Sequence, residues 1–225
     1  MPEVTRHDQQ VGPNADGPPG IGIVWPPANA LILVRHGQTP LNADGRLRGR
    51  LDPDLDATGR AQVSRLGAWF ATAPIRLIVS SPRLRAVRTA EAIAGPYGRE
   101  VVVADSIDDR DYGPWAGRPE AEVVARFGSL DTAPGVEPST AVLARARAEV
   151  DRCRDVLARG LVVLVTHDAV LRLLLGSLAP RRFPAGTPID QATACWNLLL
   201  DDHGAWRLQD YNQQIPADGA FLPHV

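Results

Sequence analysis

The stretch Leu31-Ile32-Leu33-Val34-Arg35-His36-Gly37-Gln38-Thr39 begins with four apolar residues and then changes abruptly to arginine, histidine and glycine. An apolar run without alternation predicts a strand covered on both faces, as in a parallel sheet flanked by helices. His36 would follow the carboxyl end of that strand, the edge at which open α/β sheets bind ligands. A structural arginine and histidine that simply close a strand are the alternative, and this stretch alone does not exclude it.

Several other segments repeat the pattern of a strand followed by a helix. This alternation predicts an α/β fold, a three-layer sandwich with a mostly parallel sheet flanked by helices. Further strands are predicted over 75–79, 100–104 and 161–165, and a hairpin over 193–200 and 206–211. Helices are predicted over 58–70, 120–127, 139–159 and 169–178.

The composition predicts one globular domain between two less regular ends. Residues 1–29 are rich in proline, glycine and aspartate and are predicted to form a flexible N-terminal extension. The domain itself is assigned to 30–212, and 213–225 is predicted to be an irregular C-terminal tail.

The charged residues narrow the possible functions. The formal charge of −2 gives no reason to expect nucleic acid as a partner. All 24 residues counted as Lys+Arg are arginine, and a chain without lysine has no Schiff-base, pyridoxal-phosphate or P-loop lysine. If this chain handles phosphate, it must do so with arginine, histidine and backbone amides.

The expected location follows from two further features. No apolar run approaches the roughly 20 residues that span a bilayer, and the N-terminus lacks the apolar core of a secretory signal, so no membrane association is expected. Cys153 and Cys195 have no short-spaced partner and no neighbouring histidine cluster. A disulfide framework or a zinc site is therefore not predicted, and a cytoplasmic setting is.

Three predicted strands end in polar groups that could share one pocket: Arg35-His36, Ser80-Ser81 with Arg85 beyond them, and His167. Parallel strands bring their carboxyl ends to the same edge. Two imidazoles, two guanidinium groups and helix amides suit a tetrahedral oxyanion, which one histidine could attack in line.

The turns after these strand ends predict helix caps. Thr39 precedes Pro40 as an N-cap, Ser81 is predicted to cap a helix that Pro82 opens, and Asp168 to cap the helix over 169–178. Arg83 and Arg85 would lie in the first turn of their helix, where a cation is unfavourable unless an anion binds beside it. Solvated surface arginines are the alternative.

Taken together, the motifs resemble the histidine phosphatase superfamily, also called phosphoglycerate mutase-like, over residues 31–211. Its signature matches Leu33-Val34-Arg35-His36-Gly37-Gln38-Thr39-Pro40-Leu41-Asn42, its second motif Ser81-Pro82-Arg83-Leu84-Arg85-Ala86-Val87-Arg88-Thr89-Ala90, and its third Val165-Thr166-His167. Residues 52–59 and 111–117 match the segments between the motifs.

The resemblance implies a role for each matching residue and requires neither a cofactor nor a metal. His36 would be the nucleophile that becomes phosphorylated. Arg35, Arg85 and His167 would hold the phosphoryl oxygens, with Asn42 as a further donor. Asp109 stands where the family usually has its general acid, a glutamate.

This chain departs from the family at two places. Asp109 is one methylene shorter than glutamate, so its neighbours Asp108 and Asp111 could substitute for it, and all three could form only a solvated acidic turn. Arg48 stands where relatives often have a small or amide residue. With Arg46 and Arg50 it could bind a second anionic group of the substrate, or the three could be solvated loop arginines.

The resulting prediction is a metal-independent phosphomonoesterase that acts through a phosphohistidine on a phosphorylated small molecule. The alternatives are a 2,3-bisphosphoglycerate-dependent mutase and a non-catalytic phospholigand-binding module. A phosphatase acting on protein phosphohistidine also stays open. The short stretch 117–137 favours water entry and hydrolysis over mutase activity. Catalysis would need a neutral His36, a cationic His167 and a protonated Asp109, which predicts an acidic-to-neutral optimum.

Overall fold

The computed structural model describes residues 25–26, 28–95, 98–202 and 204–217. Their strands form one sheet in the order β3-β2-β4-β1-β5-β6. Strands β1 to β4 are parallel, whereas β5 runs antiparallel to β1 and forms a hairpin with β6. The predicted fold class is therefore confirmed. The strands are β1 (Ala30–Arg35), β2 (Ile75–Ser80), β3 (Val101–Val103), β4 (Leu161–Thr166), β5 (Trp196–Asp202) and β6 (Ala205–Gln213).

Helices cover both faces of the sheet. They are α1 (Pro40–Ala43), α2 (Ala57–Trp69), α3 (Leu84–Ala94), α4 (Glu120–Phe127), α5 (Ser139–Arg152), α6 (Arg154–Leu157) and α7 (Asp168–Leu178). Alternate side chains of β1 pack against helices on opposite faces of the sheet. Ile32 packs in the cluster that includes Leu66 of α2, and Leu33 packs in the cluster that includes Leu174 of α7. Both faces of the central strands are thus buried, as their continuous apolar sequence predicts.

Strand register brings the polar strand ends together. Arg35 of β1 pairs with Thr166 of β4, so His36 and His167 each follow at the same level. Ser80 of β2 pairs with Val165 on the other side of β4, which places Ser81 beside them. One edge of the sheet therefore holds the three motif ends.

The prediction of one continuous helix over 139–159 is wrong. The helix breaks at Cys153, which ends α5 and precedes the short α6. The break turns the chain so that the Leu157 carbonyl accepts a hydrogen bond from Asn29 N at 2.7 Å, just before β1. Hydrophobic periodicity continues through the break, with Cys153 and Leu157 both buried, so the pattern does not reveal it.

Two predicted helix caps are also wrong. Helix α3 begins at Leu84, whose amide donates to Asp52 Oδ1 at 2.7 Å, so Ser81 is not its cap. Asp168 is the first residue of α7, and His167 occupies the N-cap position. The third prediction is confirmed, since Thr39 caps α1 with Pro40 in the first turn.

The predicted chain ends fall only partly within the described residues. Residues 1–24 and 27 of the predicted extension, and 218–225 of the predicted tail, lie outside them. Strand β6 extends to Gln213, the first residue of that tail. At the other end, Trp25 packs on Phe70 with ring centroids 5.3 Å apart. None of the helices in the described ranges combines the length and the apolar character that crossing a membrane requires.

Candidate active site

Two buried imidazoles face each other at the carboxyl edge of the sheet. The ring centroids of His36 and His167 are 5.1 Å apart, with their planes inclined by 57°. Both side chains are fully buried. The sequence prediction that parallel strands would bring these two residues together is confirmed.

His36 presents one nitrogen with a free lone pair. Its Nδ1 lies 2.7 Å from the Gly37 carbonyl oxygen, and a carbonyl only accepts, so Nδ1 carries the ring proton. The buried Nε2 has no hydrogen-bond partner among the described residues. Burial, followed by the charges of Arg85 and Arg35, holds the pKa of His36 well below its usual range. The ring is therefore neutral and its Nε2 is available as a nucleophile.

His167 is held by a hydrogen-bond chain that the sequence analysis missed. The Ser81 hydroxyl donates to Asp108 Oδ1 at 3.2 Å, so its oxygen is left to accept from His167 Nε2 at 2.7 Å. Burial and then the charge of Arg85 hold the pKa of His167 well below its usual range. The sequence predicts a cation here, whereas burial and the neighbouring arginines favour the neutral ring.

Arg85 is a fully enclosed candidate phosphate ligand. Its Nη1 donates to the Leu51 carbonyl at 2.8 Å, and its Nη2 donates to the Gly49 carbonyl at 2.9 Å and to Asp109 Oδ2 at 2.8 Å. Its side chain is fully buried, and Nε has no partner among the described residues. The guanidinium group is thus fixed in orientation and keeps a donor for an anion.

Arg35 is oriented by the loop that precedes β5. Its Nη1 donates to the Gln191 carbonyl and lies 3.7 Å from Asp168 Oδ1. The Gln191 side chain is in turn held by Asn197 Nδ2 at 2.7 Å. Sequence analysis did not find Gln191, because a backbone carbonyl 156 residues away leaves no signal in a motif.

Asp109 is the acidic residue that reaches the histidine pair. Its Oδ2 lies 3.6 Å from His167 Nδ1 and 2.8 Å from Arg85 Nη2. Burial raises the pKa of Asp109 above its ordinary value, although Arg85 and Arg48 oppose the shift. Burial therefore makes this carboxyl easier to protonate than an ordinary aspartate, as a general acid requires.

The two neighbouring carboxylates are engaged elsewhere. Asp108 accepts from Arg83 Nε at 2.8 Å and Nη2 at 2.7 Å, as well as from Ser81. Asp111 accepts from Gly113 N at 2.8 Å and pairs with Arg50 at 3.2 Å. The anion beside Arg83 is thus the Asp108 carboxylate of the chain itself, so Arg83 is neither a solvated arginine nor free to bind a substrate anion.

Helix α5 holds the backbone of the acidic loop through Arg145, which the sequence analysis did not single out. Its Nη1 donates to the carbonyls of Asp108 at 2.6 Å and Ser106 at 3.1 Å, and its Nη2 to that of Asp109 at 3.0 Å. Glu137 binds the same guanidinium group, with its two oxygens at 2.9 and 3.0 Å. Arg145 therefore fixes the loop that carries Asp109.

Arg48 and Asn42 lie on the loop and helix that follow β1. Arg48 Nη1 donates to the Arg46 carbonyl at 3.1 Å, and its buried Nε has no partner among the described residues. Its charge contributes to lowering the pKa of His36. Asn42 Oδ1 accepts from Thr39 N at 3.0 Å in the capping box of α1, so its amide group keeps two donors.

A neutral histidine with an available Nε2, a second histidine, two fixed arginines and a buried carboxyl converge at this edge of the sheet. These features define an α/β enzyme that handles a tetrahedral oxyanion. The family model "Histidine phosphatase superfamily (branch 1)" matches residues 31–214. The chain therefore belongs to the histidine phosphatase superfamily.

Individual relatives agree with this assignment. The chain is 30% identical over 187 residues to "Uncharacterized phosphatase PhoE" of Bacillus subtilis (strain 168), covering 81% of this chain and 94% of that protein. It is 38% identical over 95 residues to "Glucosyl-3-phosphoglycerate phosphatase" of Mycolicibacterium vanbaalenii, covering 42% of each chain. A solved structure of the mycobacterial glucosyl-3-phosphoglycerate phosphatase with VO3 has a TM-score of 0.72 at 28% identity, covering 82% of this chain and 99% of the other. These names are consistent with phosphomonoester hydrolase activity.

Proposed function

We propose that this protein is a metal-independent phosphomonoesterase that works through a phosphohistidine on His36. The observation that carries the proposal is the state of His36: Nδ1 is committed to the Gly37 carbonyl, and the free Nε2 lies at a site enclosed by Arg35 and Arg85. Fixed guanidinium donors around a transferring phosphoryl group supply most of what the reaction needs from a protein.

In the first step, His36 Nε2 attacks phosphorus in line. The new nitrogen–phosphorus bond forms as the bond from phosphorus to the ester oxygen breaks. The raised pKa of Asp109 supports its role as the acid that gives its proton to the leaving oxygen.

In the second step, water attacks the phosphohistidine. The Asp109 carboxylate, deprotonated by the first step, accepts a proton from that water. Phosphate leaves, and the lone pair returns to His36 Nε2. Asn42 and His167 complete the set of groups to which we assign the phosphoryl oxygens. His167 Nδ1 lies 3.6 Å from Asp109 Oδ2, so the protonation state of His167 would depend on the charge of Asp109.

The substrate class we propose is a small phosphate ester with a second anionic group near the phosphate. Arg48 supports this class, because its charge acts on His36 while no carboxylate pairs with it in the described part of the chain. Arg46 and Arg50 differ: Arg46 donates to the Gly117 carbonyl at 2.9 Å and Arg50 pairs with Asp111. Two of the relatives are named glucosyl-3-phosphoglycerate phosphatase, and glucosyl-3-phosphoglycerate has a carboxylate as well as its phosphoester.

The cellular setting that we propose is the cytoplasm, and two buried free cysteines support it.

Hydrolysis rather than mutase activity is favoured by the shortness of the segment that follows the acidic loop. Residues 117–137 carry only one short helix, α4, which packs through Val123 in a minor apolar cluster with Leu47 and Tyr112. This segment leaves little protein to exclude water.

A panel of phosphorylated metabolites assayed for phosphate release with EDTA present tests the proposal. The expected result is release from 3-phosphoglycerate and p-nitrophenyl phosphate. Isomer formation from 3-phosphoglycerate with a 2,3-bisphosphoglycerate primer, without phosphate release, would indicate a mutase. Binding of both compounds without any turnover would indicate a non-catalytic module.

A further inference from the structure

A second cavity, of about 620 Å³, lies away from the histidine pair. It is formed by the end of α7 with the residues after it, by one residue of α5 and by the β5–β6 hairpin. Helix α7 starts at Asp168 beside the active site and reaches the cavity at Ser177, roughly 14 Å along its axis at about 1.5 Å per residue. The β5 register agrees: Trp196 pairs with Val34 near the site, whereas Asp202 lies beyond the opposite end of β1.

Arginine dominates the lining of this cavity. Four of its thirteen lining residues are arginines, Arg147, Arg181, Arg182 and Arg207, against 24 in the 225-residue chain. Among the lining residues that the structure describes, one carries a carboxylate, Asp202. Within the described ranges, none of the four arginines forms an ion pair, although most other arginines there do. The cavity therefore has a net positive charge, since four guanidinium groups line it with one carboxylate.

The rest of the lining would suit a small molecule. Trp206, Leu178 and Leu208 provide apolar surface, and the buried indole Nε1 of Trp206 has no hydrogen-bond partner among the described residues. Ligand pockets commonly combine apolar walls with a few polar donors in volumes of about 300–1,000 Å³. This cavity falls within that description.

Helix electrostatics explains only part of the cluster. Arg181 and Arg182 follow the carboxyl end of α7, where the helix dipole favours cations. Arg147 comes from α5 and Arg207 from β6, so the same dipole does not account for them. Their hydrogen bonds go to neutral groups: Ser177 Oγ at 3.4 Å for Arg147, and Gln209 Oε1 at 2.6 Å for Arg207.

We propose that this cavity is a second binding site, which takes a small polyanion carrying at least two phosphate or carboxylate groups. Arginine binds both groups through paired N–H donors. The site is distinct from the catalytic pocket, so occupancy of one leaves the other accessible.

Isothermal titration calorimetry of the full chain tests this proposal with inorganic tripolyphosphate and citrate as probes, and the tighter probe identifies the preferred anionic group. We expect the double variant Arg147→Gln/Arg207→Gln to weaken binding of the tighter probe at least tenfold, with its KM for p-nitrophenyl phosphate unchanged. The matched control is Arg126→Gln/Arg159→Gln, which removes the same charge from exposed positions elsewhere and should change binding less than twofold.

Two results would overturn the proposal. The first is that neither probe binds the parent protein, or that p-nitrophenyl phosphate competes away all the binding that is seen. The other is equal weakening in both double variants, because that result indicates unspecific attraction by net charge. If Arg147→Gln/Arg207→Gln does not fold, Arg181→Gln/Arg182→Gln, at exposed positions, replaces it with the same expected loss.

Discussion

Arg85 and Asp109 form a fully buried ion pair, with Nη2 and Oδ2 2.8 Å apart. The same carboxylate oxygen lies 3.6 Å from His167 Nδ1. Asp109 therefore reaches the centre of the site even though its side chain is one methylene shorter than the glutamate that the family usually has there. A phosphoryl dianion that takes over the contact with Arg85 would leave the carboxyl without its cation and favour its protonated form.

We expect Asp109→Asn to reduce phosphate release by on the order of 10²–10⁴-fold, the contribution of a positioned general acid. The loss should be larger for 3-phosphoglycerate than for p-nitrophenyl phosphate, since nitrophenolate leaves without a proton. Steady-state rates of both substrates measure this difference. Asp111→Asn is the matched control and should retain most activity, because Asp111 contacts Gly113 and Arg50 instead. Equal losses in the two variants would count against Asp109 as the acid.

The pH profile should be bell-shaped with an acidic-to-neutral optimum. The pKa of His36 is lowered, so activity is lost only in acid, where Nε2 becomes protonated. The pKa of Asp109 is raised, so the acid stays protonated to higher pH than an ordinary aspartate and activity falls as pH rises through that pKa. Profiles of kcat/KM with 3-phosphoglycerate test both limbs. Asp109→Asn should lose the falling alkaline limb, and a flat parent profile would contradict the assignment.

Replacing Arg145 should impair the acid without touching the phosphate. Arg145→Met removes the donors that hold the Asp108 and Asp109 carbonyls. We expect kcat for 3-phosphoglycerate to fall roughly tenfold, the effect of about 1.4 kcal/mol on a barrier, with KM little changed. Arg145→Lys should recover part of the loss. Arg152→Met, on the same helix, is the control, and a purely structural role for Arg145 would appear as a lower melting temperature with an unchanged kcat.

The effect of Arg48→Gln on KM should depend on whether the substrate carries a second anionic group. A charge-assisted hydrogen bond contributes about 1.5–3 kcal/mol, or roughly 10–100-fold in binding. KM for 3-phosphoglycerate should therefore rise within this range, whereas KM for p-nitrophenyl phosphate should change much less. Arg46→Gln serves as the control. If Arg48→Gln changes both KM values equally, Arg48 is a solvated or general electrostatic residue.

The glycine after His36 leaves no room for a side chain. A Cβ on Gly37 would lie 2.7 Å from Val63 Cγ1 and 2.9 Å from the Gly59 carbonyl oxygen. Gly37→Ala should therefore displace His36, reduce kcat by more than tenfold and lower the melting temperature. At Gly176 an added Cβ meets Ile189 Cδ1 at 3.6 Å, an ordinary contact. Gly176→Ala should leave kcat unchanged and raise helix stability. Equal kcat values of the two variants would contradict this prediction, because they would show that α2 shifts to accommodate the methyl group at residue 37.

Local sequence signals predicted the elements that hold the histidine pair. The apolar runs that end in His36 and His167 identify two buried parallel strands, and Thr39-Pro40 identifies the start of α1. The family motifs added the expected roles of Arg35 and Arg85. Each of these signals lies within about ten residues of the group it positions.

The features that sequence analysis missed depend on partners far apart in the chain. Asp52, 32 residues before Leu84, caps α3 in place of Ser81. Arg145 binds carbonyls 36 to 39 residues earlier, and Gln191 orients Arg35 from 156 residues away. Backbone carbonyls and long-range caps have no characteristic sequence, so only the folded arrangement shows them.

The most direct test of the proposed mechanism is to map the covalent intermediate. A phosphate ester carrying a radiolabel on its phosphoryl group is mixed with the protein, quenched in alkaline denaturant within the first turnover, and the labelled peptide is sequenced. We predict acid-labile label on His36 in the parent, more of it in a variant that slows the second step, and none in His36→Ala. Label on His167, or rapid turnover with no label on any histidine, would contradict the assignment of His36 as the nucleophile.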